Sequence, residues 1–76
     1  MKARRIVLVR WTDAIEFTAW TEPKDVSNKP MPSASVGFLI REGKDAITLA
    51  ALQNDHHLGL GITIPRAMIQ SIEDLK

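Results

Sequence analysis

The stretch Ile62-Thr63-Ile64-Pro65-Arg66-Ala67-Met68-Ile69-Gln70-Ser71-Ile72 sets two short β-type runs on either side of one proline. Proline fixes φ and has no amide hydrogen to give to a sheet ladder. One strand therefore ends at Ile64, a helical turn occupies Pro65 to Met68, and a closing strand runs from Ile69 to Ile72. A small β-barrel turns its last corner in this way.

The segments before that corner obey the same grammar. Leu58 to Ile64 is a strand whose Gly59 and Gly61 allow sharp bending or close approach of another backbone. Asn54-Asp55-His56-His57 is a turn, Ala46 to Gln53 is a strand, and Glu42-Gly43-Lys44-Asp45 supplies the turn before it through a glycine. Ser35 to Arg41 is a further strand. Near the start, Ile6-Val7-Leu8-Val9 is a continuous apolar run that predicts a first strand over Arg4 to Thr12, buried on both faces. Between Asp13 and Trp20 the apolar residues fit neither period, and a single helical turn capped by Asp13 is allowed. Thr21 to Ser35 holds Pro23, Pro30 and Pro32, which forbid a helix interior or a central strand, so this is a loop and the first place to look for a ligand or partner.

The pattern predicts a mainly β, single-domain chain over residues 1–76: a five-stranded SH3-like or Sm-like small barrel with a one-turn helix before the last strand. A small open α+β sheet is the alternative. Closure would remove the sheet edges that otherwise invite aggregation.

A chain of 76 residues buries only about 60–65% of its unfolded surface, and with no cysteine it has no disulfide or thiolate metal staple. Homo-oligomerisation is the most available further stabilisation. A net charge of +1 argues against a nucleic-acid coat or a polybasic membrane anchor. Lys2, Arg4, Arg5 and Arg10 crowd one end of the sequence while Glu73 and Asp74 sit at the other. Terminal strands that are neighbours would pair these charges across a seam, the alternative being a basic patch facing a ligand. Four apolar residues after the charged start fall short of a signal-peptide core and of a membrane span, so a soluble protein of the cytoplasm is expected.

Candidate functional residues are few. Trp11 and Trp20, each beside a carboxylate in Trp11-Thr12-Asp13 and Trp20-Thr21-Glu22, could clamp an aromatic ligand by stacking, with Asp13 orienting its polar groups. They could equally pack in the barrel or at a subunit interface. Arg10, Arg41 and Arg66 stand at strand ends, where a guanidinium can hold phosphate or pair across strands. Arg66, on the proline turn, is the strongest of the three. Adjacent His56 and His57 on a turn point apart and lack companions for a metal site. Gly59-Leu60-Gly61 lies inside a strand and not at a helix start, which excludes a phosphate loop. Asp13, Glu16 and Glu22 lie in a segment too polar to shift a carboxylate for acid–base work, and Ser27, Ser33, Ser35 and Ser71 lie in no nucleophile elbow. No catalytic residue, cofactor or metal is expected.

Arg10-Trp11-Thr12-Asp13-Ala14, Ala19-Trp20-Thr21-Glu22, Ser35-Val36-Gly37-Phe38-Leu39-Ile40 and Ile62-Thr63-Ile64-Pro65 with Ile69 together resemble small uncharacterised proteins encoded by tailed bacteriophages and prophages. The likeness runs nearly the length of the chain. It implies a phage-type accessory protein acting in the bacterial cytoplasm, and some small phage proteins act as sponges for host immune signalling nucleotides. The expected function is therefore a non-enzymatic, homo-oligomeric barrel that binds a phosphorylated or aromatic small molecule at Trp11, Asp13, Trp20 and Arg66. An interaction module docking on a host or virion protein through Thr21 to Ser35 is the alternative, and Sm-type RNA binding comes third.

Overall fold

The computed structural model describes residues 3–14 and 19–75. Five strands, β1 (Ile6–Asp13), β2 (Met31–Glu42), β3 (Ala46–Gln53), β4 (Leu58–Pro65) and β5 (Ile69–Leu75), form one antiparallel sheet in the order β4-β3-β2-β1-β5. Two 3-10 turns, Pro23–Asp25 and Arg66–Met68, are the only helical elements among the described residues. The fold is mainly β, with its single-turn helix directly before the last strand, as the proline-broken run predicts.

The ladder is open. Among the described residues β4 pairs only with β3, and β5 only with β1. Pro65 caps the 3-10 turn at φ −60°, the value its ring imposes, and the chain emerges from that turn to lie along β1. The sheet is strongly curved instead of closed. At Gly37, opposite Val7, an added Cβ would stand 2.8 Å from the carbonyl oxygen of Ala50, so the bend that brings β3 over β2 needs a residue with no side chain. Ile40 is an extra residue in β2 between Leu39 and Arg41, and Gln70 an extra one in β5 opposite the step from Arg10 to Trp11. Such bulges increase twist and coil a sheet around its inner face.

That inner face carries the core: Val7, Val9 and Trp11 of β1, Ile47 and Leu49 of β3, and Ile64 of β4. Leu39, Met68, Ile69 and Ile72 pack against them, so both edge strands reach one cluster although no ladder joins them. The expectation that Ile6 to Val9 is buried on both faces is corrected here. Val7 and Val9 are fully buried, while Ile6 is 42% exposed and Leu8 is intermediate. A one-layer sheet has nothing to lay over its outer face, so the run alternates despite its uniform hydrophobicity.

β2 also begins four residues before Ser35, where the expected loop ends, and it contains Pro32. β3 pairs with β2 only from Phe38 onward, which leaves one side of Met31 to Val36 without a neighbouring strand and tolerant of proline. Asp13 closes β1, and the helical turn expected after it falls on residues 15–18, outside the described residues. Residues 19–30 are exposed throughout. With this arm the radius of gyration is 15.5 Å, against roughly 11 Å for a compact chain of this length.

The terminal charges pair across the β1–β5 seam. Arg5 Nε donates to Asp74 at 2.8 Å, and Arg10 stands 3.8 Å from Glu73. The hydrogen bond to Asp74, and then that carboxylate's charge, hold the Arg5 guanidinium above its ordinary pKa. Arg5 also approaches Glu42 at 3.5 Å.

Candidate functional site

β1 ends at Asp13, opposite the first residue of β2, Met31. Beside this strand end lies a hollow of about 310 Å³ lined by Thr12, Asp13, Ala14, Pro30, Ala67 and Met68. Three parts of the chain meet here: the end of β1, the proline that leads into β2, and the 3-10 turn before β5. Met68 is shared, since it packs on the core and also lines the hollow. Thr12 Oγ1 is held from the side by Gln70 Nε2 at 3.0 Å. The lining is apolar apart from Thr12 and one ionisable group, Asp13. A single carboxylate in such a setting can accept N–H donors and orient a ligand.

The other residues named from sequence lie in different surroundings. Trp11 is on the inner face of β1, 8% exposed, and its indole Nε1 donates to Ser35 Oγ at 3.0 Å. In the single chain its ring belongs to the core and offers no face for stacking. Trp20 is wholly exposed on the arm, just before the Pro23–Asp25 turn. The two rings therefore form no clamp.

Arg66 opens the second 3-10 turn. Its amide donates to the Asp45 carbonyl at 2.8 Å, its Nε to the Gly43 carbonyl at 3.1 Å, and its guanidinium lies 3.7 Å from Glu42. Arg66 thus ties the proline corner to the β2–β3 turn. Its neighbours Ala67 and Met68 line the hollow while Arg66 does not. Those two residues, with Thr12, Ala14 and Pro30, were missed from sequence, because small and apolar side chains carry no chemical signature. The proline corner was nevertheless a signal that the chain doubles back there.

A wider hollow, about 410 Å³, lies at the opposite end of β4 and is lined by Arg4 and residues Gln53 to Leu58. The Asn54 side-chain oxygen accepts the amides of His56 at 2.9 Å and His57 at 2.7 Å, which braces this turn from within. The two imidazoles meet edge to face with centroids 6.4 Å apart. Among the described residues no group of three or more His, Asp or Glu side chains is placed to hold a metal ion, and no helix is long and apolar enough to cross a membrane.

Asp13 and its apolar hollow thus stand as the candidate site on geometry alone, for no family model, no curated protein and no solved structure matches this chain.

Proposed function

We propose that the protein is a non-enzymatic binding module of phage type that takes an aromatic or phosphorylated small molecule, such as a host immune signalling nucleotide, and sequesters it in the bacterial cytoplasm. The hollow at Asp13 carries this proposal: about 310 Å³ of mostly apolar space with one carboxylate at the end of β1, a strand paired on both sides. A purine-like ring fits that chemistry, its amino hydrogens donated to Asp13 and its faces packed on Pro30, Ala67 and Met68. Trp20 supplies a stacking face on the arm that leads to Pro30. Arg66 has its Nε committed to Gly43, so phosphate recognition is the lesser part of the affinity. Titration calorimetry against cyclic di- and oligonucleotides and nicotinamide-derived signals tests the proposal. Binding abolished by Asp13→Asn supports it, and no heat from any member of the panel defeats it.

One observation favours a second function. A wholly exposed tryptophan on an exposed arm is what a protein-docking surface presents, since tryptophan is enriched among residues that dominate binding energy. The module would then dock on a host or virion protein through the arm. Affinity purification from infected cells decides: a stoichiometric partner lost with Trp20→Ala, and no co-purifying ligand, selects docking over sequestration. RNA binding would weaken steeply with added salt, and the +1 charge makes it the least favoured use of the fold.

A further inference from the structure

The two edges of the sheet are built differently. β5 carries Glu73 and Asp74, the kind of charge that keeps an edge from pairing with other chains. β4, Leu-Gly-Leu-Gly-Ile-Thr-Ile-Pro, has no charged residue, and its proline comes only at the last position. Leu58, Leu60 and Ile62 are all exposed along it. An uncharged apolar edge of this length is a template for another strand.

Leu60 adds an independent observation. It has φ 53° and is the one residue other than glycine with positive φ among the described residues. A leucine is disfavoured there by contact of its Cβ with the following carbonyl oxygen. Its side chain is nevertheless 77% exposed, so no packing within the chain compensates for that conformation. Strain of this kind points to a function when it is found, not the reverse. Beside it, Leu52, Leu58 and Gly59, with Gln53, Asn54 and His57, line a hollow of about 190 Å³.

We infer that β4 is a self-association edge: a second copy of this chain adds its own β4 antiparallel about a two-fold axis, and Leu60 of each copy enters the Leu52–Leu58–Gly59 hollow of the other. Projection and receptacle lie on one patch, which is the requirement for an isologous interface that closes at two subunits. The acidic β5 edge offers no comparable match for β4. The chain exposes 6150 Å², part of it on the arm, against roughly 4,700 Å² for a folded monomer of its size, so it carries more uncovered surface than a self-sufficient monomer of this length. The Leu52–Leu58–Gly59 hollow lies at the opposite end of β4 from the Arg66–Met68 turn, so the inference stands apart from ligand binding at Asp13.

Sedimentation velocity on the full chain tests it. The expected mass is twice the 8.5 kDa of one chain. Leu60→Asn, which introduces a residue tolerant of positive φ, should weaken the dimer about 30-fold or more with an unchanged circular dichroism spectrum. Leu60→Gly relieves the strain and removes the anchor, so it should yield a folded monomer whose thermal midpoint is no lower than that of the dissociated parent. Asp13→Asn should leave the mass unaltered, which separates this inference from the ligand proposal. A parent chain that stays monomeric at high concentration overturns the inference, even if it captures a foreign protein. So does an assembly larger than two, or a dimer indifferent to both Leu60 substitutions.

Discussion

Trp11 and Trp20 are each followed by threonine and a carboxylate, and they lie in opposite environments. Trp11 belongs to β1, which has a strand on either side, so every second side chain is forced onto the concave face. Among the described residues no strand lies beside the segment of Trp20, and its ring is wholly exposed. Local chemistry is the same at the two sites. What separates them is whether the backbone around each has a sheet partner, which three-residue motifs do not encode.

Substitution should reproduce that contrast, and it is the largest effect expected. Trp11→Ala removes a buried indole and leaves a cavity among Val9, Ile69 and Met68, at a cost of about 3–5 kcal/mol. A chain of this length has roughly 4–11 kcal/mol in all, so the variant should lose a large share of it and unfold at a much lower urea concentration. Trp20→Ala should move stability by less than about 0.5 kcal/mol, as exposed substitutions do, while removing partner or ligand binding. Urea denaturation of both variants checks this, and a Trp20→Ala loss comparable to that of Trp11→Ala would break the contrast.

The core side of the contrast depends on curvature. Gly37→Ala places a methyl group 2.8 Å from the Ala50 carbonyl oxygen, where backbone must yield, and overpacking of this type costs about 1–3 kcal/mol. The same replacement at Gly59, where the nearest atoms are Leu52 side-chain carbons at 3.5 Å and beyond, should be close to neutral. A smaller effect belongs to Ser35→Ala, which orphans the Trp11 indole N–H and should cost about 1–2 kcal/mol. Ser35→Thr, which retains an acceptor, should recover part of it.

Legibility in the sequence follows the same division. The five strands, the proline corner and the β1–β5 charge seam were readable because each rests on local rules: alternation, turn residues and opposite charges at neighbouring strands. Pro32 within β2 was not, since its tolerance depends on β3 ending its pairing at Phe38. Nor was the one-sided burial of Ile6 to Val9, which reflects the lack of a second layer. Asp13 is a candidate in the sequence but its surroundings are not, because Ala67, Met68 and Pro30 reach it only through the fold. Leu60 gave no signal either; between two glycines it reads as a flexible bend, and only its φ and its exposure set it apart.

The smallest effect concerns charge, and it divides the molecule along the same line. On the sheet side, Asp74, Arg5, Glu42 and Arg66 form a continuous chain joining β5, β2 and the proline corner. On the arm, Lys24 and Glu22 pair at 3.4 Å, apart from that chain. All these groups are well exposed, so salt screens them and each pair contributes little. The Arg5 guanidinium is held above its ordinary pKa, chiefly by its hydrogen bond to Asp74. A raised folded-state pKa gives stability that is complete below the unfolded value and is lost only as pH rises through the folded one. For an arginine that window lies in strong alkali. Arg5→Gln should therefore lower the thermal midpoint slightly and by the same amount throughout the neutral range, with the difference shrinking as salt is added. Lys24→Gln should do nothing at any salt concentration. A difference between Arg5→Gln and the parent chain that changes across neutral pH would mean that another titrating group is coupled to the seam, and the division between an electrostatically joined sheet and an independent arm would have to be redrawn.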